Sequence, residues 1–473
     1  MNGSFRFWKI VATIWPSLKK ETILKRFVNY VDVFRINLSH WGLPEAQKYV
    51  EIIRKIDASK AIMFDTKGPE VRVKNSNIID ISKRKKIDIY FSPDMVESDD
   101  IYIDYPFLSE IKKGVILIID DNKVVLRVDA VKDDRLVAKV LMGSEILPNK
   151  SVNFKWYSPK LDFLTEEDKN WILWAIKNHI VFIAVSFVRD ANDILQLRKF
   201  LSENWWEYIK IISKIETIDA LENIDDIIKL SDWIMIARWD LGAVIPLESL
   251  TRVQLDIIKK CNMYWKPVIV ATQVLPTMVS SPVPTRAEVD EVVYNIKHWV
   301  DAFMLSEETA VGKFVGETLE RLNNIILSNQ DIVDVDYGYN DLYIDKWNEI
   351  TDYIIWQAYK TSKSLDIKAI ICPTETGYTP TRLSTLKPSV PIIAFTKSDE
   401  TFKYLNILWG VKAYKISDWF DYEKIKTLWK EIVKVVLRGN VNIDDKILIV
   451  HSTIAQNIPW MINGMEIYKY KDM

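Results

Sequence analysis

The sequence predicts an α/β protein built on a closed (β/α)8 barrel. A small all-β unit, expected as a β-barrel, is set into one barrel loop, and a separate α/β domain follows. Three observations carry this reading. Eight short apolar, β-branched runs alternate with segments of helical periodicity between Lys9 and Ser306. The interval between the third and fourth runs exceeds a hundred residues, where a helix and a loop would need far fewer. The alternation of strand and helix signals restarts after about residue 331.

In chain order the eight candidate strands are Lys9–Ile14, Val33–Leu38, Ala61–Thr66, Phe182–Val188, Tyr208–Ser213, Trp233–Arg238, Pro267–Thr272 and Asp301–Ser306. Near-continuous apolar runs of this length suit parallel strands buried on both faces. Between them, Thr165 with Asp168 three residues on makes a capping-box start flanked by Leu164 and Ile172. Thr217–Lys229 repeats apolar residues at Ile218, Leu221, Ile224 and Ile228, a helical stripe. The long interval, Lys67 to Val181, holds Val71–Val73, Ile87–Phe91, Val115–Ile119, Val124–Val128 and Leu136–Val140 between turn signals such as Asp121-Asn122. These predict an inserted β domain over 74–155, between barrel parts 1–73 and 156–330. The C-terminal α/β domain, 331–473, is expected from a helix at Asn348–Ser364 and strands at Lys368–Cys372, Pro391–Phe395 and Lys446–Val450.

A barrel places its chemistry at the C-terminal ends of its strands. Arg35, Asn37, Asp65, Thr66, Lys214, Glu216, Asp240, Thr272 and Glu307 all fall at or just past a predicted strand end.

Composition narrows the function classes. The 473 residues are 48% hydrophobic and 27% charged, with a net charge of -2, so no overall basic field holds nucleic acid or anionic membrane. The Lys83–Lys86 run reads as a solvated turn. Two cysteines, Cys261 and Cys372, fit a reducing compartment, and four scattered histidines make no zinc-type cluster. The first fifteen residues do not read as a signal peptide and no apolar run reaches a membrane span, so the expected location is the cytoplasm.

Lys214-Ile215-Glu216 and Asp240 form the sharpest group. Two carboxylates at neighbouring strand ends, completed by substrate oxygens and water, suit Mg²⁺ (or Mn²⁺). A lysine beside them can neutralise a transferring phosphoryl group. A structural salt bridge at a strand end explains the same residues equally well. In a second group, Arg35 and Arg72 offer phosphate-binding forks, while Asn37, Ser39, Asp65 and Thr66 offer oxygen ligands for a hard cation. A hydrogen-bonded barrel rim is the plainer account of these. Thr272 is placed to contact a substrate carboxylate or to cap the following helix.

VATIWPS at Val11–Ser17, RINLSH at Arg35–His40, DTKGPEVR at Asp65–Arg72, SKIET at Ser213–Thr217, IMIARWDLG at Ile234–Gly242, KPVIVATQ at Lys266–Gln273, PTRAEV at Pro284–Val289 and DAFMLSEETAVGK at Asp301–Lys313 resemble the pyruvate kinase family, in this order along the chain. The C-terminal domain matches more loosely. The resemblance implies the same three-part TIM-barrel architecture and transfer of a phosphoryl group from phosphoenolpyruvate to ADP. It implies that Lys214 stabilises the transferring group, that Glu216 and Asp240 hold the divalent metal, and that Asn37, Ser39, Asp65 and Thr66 bind a monovalent cation. Arg35 and Arg72 would contact phosphates. Thr272, with backbone amides near Asp240, would hold the substrate carboxylate. Glu70 goes with K⁺ dependence in the family, and a homotetramer is the family's usual assembly. Two rivals stay open: an inactive homologue serving as a binding or regulatory subunit, and another barrel enzyme of phosphoenolpyruvate such as a mutase. The mutase type needs neither the inserted domain nor Arg72.

The sequence departs from the family in one systematic way. Only 13 residues are Gly, under 3% where about 7% is usual, while Trp numbers 18. Trp15, Trp41, Trp205, Trp206, Trp233, Trp239, Trp265, Trp299 and Trp460 stand where the resemblance or the turn chemistry expects Gly. The pattern predicts a UGA codon that means Gly in the source and is rendered here as Trp. Literal Trp predicts backbone strain at these positions, and at 239 an indole over the substrate. In the C-terminal domain, Thr374-Glu375-Thr376-Gly377-Tyr378-Thr379 resembles a strand-to-helix phosphate loop, but Tyr378 stands where Arg or Lys is common. A plain helix cap is an equally good reading of it.

Overall fold

The protein is described by a computed structural model covering residues 5–14, 17–18, 20–120, 123–155, 157, 159–204, 206, 208–332, 342–343, 348–417, 422–451 and 464–473. The Asp121-Asn122 turn and positions Trp15, Trp205 and Trp460 lie outside these residues.

Eight parallel strands close a barrel. They are β1 (Lys9–Thr13), β2 (Val33–Asn37), β3 (Ala61–Asp65), β4 (Phe182–Val185), β5 (Lys210–Ile215), β6 (Trp233–Ala237), β7 (Val268–Ala271) and β8 (Ala302–Leu305). Each pairs with the next, and β1 closes the ring on β8 through Lys9↔Ala302 to Ala12↔Leu305. The strands are buried almost throughout because their two faces serve two cores. Outward residues such as Ile10, Phe34, Phe64, Ile234 and Phe303 pack under the surrounding helices. Inward residues such as Val11, Met63, Phe182, Ile212, Met235 and Met304 fill the barrel and continue into the C-terminal domain through Trp233, Trp265, Tyr404, Leu405 and Leu408.

The expected strand five begins two residues later than predicted and runs on through Lys214 to Ile215. A lysine inside a buried strand looks like a strand end in sequence, but its charge is neutralised by carboxylates from neighbouring positions. Arg238, expected in strand six, instead starts a helix, Arg238–Val244. Helix starts follow the expected chemistry: Thr165 Oγ1 accepts from Asp168 N at 3.0 Å, and Thr285 with Glu288 forms a full capping box.

The unit between β3 and β4 is a six-stranded sheet running Val152–Lys155, Ile116–Ile119, Val124–Val131, Arg135–Met142, Lys86–Phe91, Ile101–Ile103. A two-stranded sheet of Ile79–Asp80 with Glu145–Ile146 and bridges from Arg72 to Ser151 and Val73 to Ile103 lie beside it. Ile87, Ile89, Leu117, Leu126 and Phe154 share its core. The C-terminal sheet runs Val411–Lys415, Ile392–Thr396, Ile367–Pro373, Lys446–His451, Gly464–Lys469, with only the last strand antiparallel. Val411–Lys415 and Gly464–Lys469 escaped the sequence reading because their lysines and alternating polar residues mask a run that is buried on one face only in the first and half-buried at most in the second.

Candidate active site

The C-terminal mouth of the barrel gathers the predicted residues by strand register. Asn37 and Asp65 end adjacent strands directly opposite one another, and Lys214 pairs across to Met235 two residues before the end of β6. At the centre lies a chain of buried charges. Arg35 Nε donates to Asp65 Oδ2 at 2.6 Å and its Nη1 to Thr13 Oγ1 at 3.0 Å. Lys214 Nζ lies 3.1 Å from Asp65 Oδ1 and 2.8 Å from Glu216 Oε1. The other Glu216 oxygen accepts from Phe187 N at 2.7 Å.

Desolvation opposes charge on Lys214, but Asp65, Glu216 and Asp240 outweigh it and push the ammonium above its ordinary value. Burial likewise raises Asp65, yet Arg35 and Lys214 outweigh it and hold the carboxyl below its usual range. Both groups are therefore ionised at neutral pH. Lys214 offers a fixed positive charge and cannot serve as a base.

Ser186 is a member of this network that the sequence reading missed. Its Oγ accepts from Lys214 Nζ at 2.8 Å and donates to the Thr66 carbonyl at 2.7 Å, and its N–H donates to Thr66 Oγ1 at 3.1 Å. The signal was present: β4 ends at Val185, so Ser186 is a hydroxyl just past a strand end, concealed inside an apolar run read through to Val188.

Asp240 connects two cavities. One, of about 340 Å3, is shared with Glu216, Phe187 and Glu70. The other, of about 400 Å3, is shared with Thr13, Arg35, Asn37, Thr272 and Glu307. Glu216 and Asp240 thus present two carboxylates to one space, a donor set that fits a hard divalent cation whose other ligands are substrate oxygens and water. Ser39 and Arg72 do not join Arg35: they line a third, open cleft of about 1100 Å3 between the barrel and the inserted sheet. Arg72 there pairs with Glu70 and donates to Asn149 O at 2.9 Å.

Thr272 caps a helix, though not the following one. Its Oγ1 accepts from Trp239 N at 3.1 Å, at the first turn of Arg238–Val244, and donates to Ala271 O at 2.6 Å. It does so from a strained position, since Thr272 and Gln273 both lie in the left-handed region, at φ 64 and 51. Two buried charges hold this turn. Arg238 donates to the carbonyls of Ala271, Thr272 and Gln273 and pairs with Glu291. Burial lowers its guanidinium to about 10. Glu308 accepts from Val274 N at 3.1 Å, Leu275 N at 3.0 Å and Ser306 N at 2.8 Å. Glu308→Ala would leave buried N–H groups unpaired and is expected to lower stability by about 3 kcal/mol. Glu308→Gln, which keeps an acceptor, is expected to lose about 1–2 kcal/mol. Urea midpoints of the two variants check this, and equal midpoints for wild type and Glu308→Ala would show that the turn is held otherwise.

The Trp positions divide. Trp265 and Trp299 are left-handed, at φ 57 and 73. Trp239 is 40% exposed and lines the cavity of Arg35 and Thr272. Trp41 has an extended backbone, at φ -120, and Trp233 lies fully buried in β6. Trp265 is also well packed, its Nε1 donating to Tyr343 O at 2.8 Å beneath the Arg382 guanidinium. Trp206 packs edge-on against His179. In the C-terminal loop, Thr374 Oγ1 accepts from Gly377 N at 2.9 Å and the Tyr378 hydroxyl donates to Asp352 at 2.7 Å, so the loop is braced internally.

Comparison with known proteins gives a consistent result. Two family models match, pyruvate kinase, barrel domain, over residues 5–319, and pyruvate kinase, alpha/beta domain, over residues 352–467. Among curated relatives, a pyruvate kinase of Borreliella burgdorferi is 36% identical over 98% of this chain and 97% of its own length. One of Geobacillus stearothermophilus is 36% identical over 85% of this chain and 70% of its own. Among solved structures, a pyruvate kinase from Cryptosporidium parvum superposes with a TM-score of 0.90 at 30% identity, covering 98% of this chain and 96% of that one.

Proposed function

The chain belongs to the pyruvate kinase family of phosphotransferases, and from that premise we propose how its own residues carry a phosphoryl group from phosphoenolpyruvate to ADP. The observation that carries the proposal is the buried line Arg35–Asp65–Lys214–Glu216. Phosphoryl transfer asks a protein chiefly for position and for charge aimed where negative charge develops. Lys214, held protonated by three carboxylates, supplies that charge in a site already dry. Asp65 and Ser186 fix its direction, and Arg35 presents its remaining N–H groups to phosphate oxygens. Thr272 and the first-turn amides around Asp240 hold the substrate carboxylate. Arg72, across the open cleft, meets the nucleotide phosphates as the inserted sheet approaches.

Glu216 and Asp240 would hold Mg²⁺ or Mn²⁺, which when bound draws charge from the phosphate oxygens and orders them against Lys214. Asn37, Ser39, Asp65 and Thr66 would hold K⁺ with oxygen ligands alone. Asn37 Oδ1 accepts from Ser39 N at 3.2 Å, a turn that joins two of these donors, and Glu70, the residue type that goes with K⁺ dependence in the family, pairs here with Arg72. Rates are expected to fall in sodium-only buffer and recover on adding K⁺. Equal rates in the two buffers would remove K⁺ from the proposal.

Lys214 is not the donor that protonates the enolate, since surrendering its proton would strand Asp65 and Glu216. We assign the enzyme to the cytoplasm and to a homotetramer. Among the described residues no helix is long and apolar enough to cross a membrane, and both cysteines are free thiols. We further propose that position 239 is Gly in the natural protein, which opens the Arg35–Thr272 cavity to substrate. Pyruvate formation that requires ADP tests the assignment. An inactive homologue forms none, and a mutase-type enzyme does not use ADP.

A further inference from the structure

At the opposite end of the barrel, between the starts of β1–β3 and the C-terminal sheet, lies a cleft of about 570 Å3 whose charges do not balance. Arg6, Lys9, Lys60, Lys412 and Arg438 line it, against Asp32 and Glu320. Asp32 is already committed, since its Oδ2 pairs with Arg6 and accepts from Ile10 N at 2.8 Å. Lys9 is 5% exposed and donates to the Val411 carbonyl at 2.8 Å, and Lys60 donates to Val31 O at 2.7 Å. Carbonyls orient both ammonium groups, and Asp57, 4.0 Å from Lys60, balances that one only in part.

Burial, opposed by Asp32 and reinforced by Arg6, Lys412 and Lys60, brings Lys9 down to about 7. Burial lowers Lys60 as well, opposed by Asp32 and Asp57, with Lys412 and Arg6 adding to the lowering. A purely structural network of ion pairs settles with the signs matched. Here cations from two domains face one open space that only Asp32 and Glu320 line with negative charge, an arrangement that a bound anion relieves.

We propose that this cleft binds a small dianion of the phosphate class, seated between the strand-start end of the barrel and the C-terminal domain. Lys60 from the barrel and Lys412 from the C-terminal sheet would both contact it, together with Arg6 and Lys9. The site stands apart from the barrel mouth, and its existence does not depend on the roles proposed there.

The test is calorimetric titration of the full-length protein with inorganic phosphate and, separately, with methyl phosphate, without phosphoenolpyruvate, for wild type and the cleft variants alike. Both probes are expected to bind, because the cleft is larger than either. Lys60→Gln/Lys412→Gln is expected to weaken that binding at least about tenfold while leaving kcat and the KM for phosphoenolpyruvate unchanged without added phosphate. Arg438→Gln, on an exposed side chain, gives an independent and smaller weakening should the double variant fold poorly. Phosphate should also raise the melting temperature of wild type more than that of either variant. Absence of saturable binding, or the same isotherm for wild type and Arg438→Gln or the double variant, overturns the proposal. Phosphate that binds at the mouth adds a component that the cleft variants do not shift, which separates binding there from binding here.

Discussion

Lys214→Met is expected to lower kcat for pyruvate formation by about 10³-fold or more while changing the KM for phosphoenolpyruvate far less. Removing one preorganised donor from a developing charge ordinarily costs about 10²–10³ in rate. Lys214 carries a full charge and sits in a dry network, so the upper end applies. On the proposed roles Arg35 and a divalent cation would still hold the ground-state substrate, which is why kcat should bear the loss. The variant also leaves Asp65 and Glu216 without their shared cation, and breaking a buried pair from one side costs about 3–5 kcal/mol. Urea unfolding should therefore show a lower midpoint beside the lost activity. The pH dependence follows from the sign of the Asp65 shift. Its folded carboxyl lies below the usual range, so its contribution is present above the ordinary carboxylate value and is lost as pH falls through the folded one. Lys214→Met should weaken that acid dependence. A variant with near-normal kcat would exclude Lys214 from the transition state.

The second large effect concerns position 239. Protein bearing Trp239 is expected to turn over about 10²-fold or more slowly than Trp239→Gly, because the indole lines the same cavity as Arg35 and Thr272, where the proposed function puts the substrate. Tandem mass spectrometry of the native peptide spanning residues 231–252 from the source cells is expected to show Gly at 239. Trp in that peptide, with undiminished turnover, would overturn both the codon reading and the occlusion argument. The backbone supports the codon reading independently at Trp265 and Trp299, whose left-handed φ costs a residue with a Cβ about 1–3 kcal/mol and costs Gly nothing. Trp233 and Trp265 are nonetheless accommodated in the packing beneath the barrel, so strain alone does not mark every such site.

All eight barrel strands were legible because burial on both faces writes itself as an unbroken apolar run. The inserted and C-terminal sheets were legible only in part, since one-face strands such as Val411–Lys415 carry exposed lysines. At the mouth, residue types at strand ends pointed to Lys214, Glu216, Asp65 and Arg35. Ser186 hid because hydroxyls are common and its neighbours are apolar. Arg238 and Glu308 hid for another reason: they touch backbone, and no pattern of side chains records a carbonyl or an amide at the end of the neighbouring strand. That Arg72 and Arg35 line different clefts depends on the approach of the inserted sheet, which local sequence does not encode.

The barrel has no floor of its own. Its inward column runs directly into Tyr404, Leu405 and Leu408, Gly410 N donates to Phe7 O at 2.9 Å, and Lys387 forms a fully buried pair with Asp301. On the ribosome, the first strand therefore waits for its underside until some four hundred residues have been made. A nascent chain cut short after β8 would carry a closed ring with an open, greasy base and a lone buried aspartate. Such a fragment would be a client for chaperones rather than a smaller enzyme, and the C-terminal domain acts as the last stone that lets the rest stand.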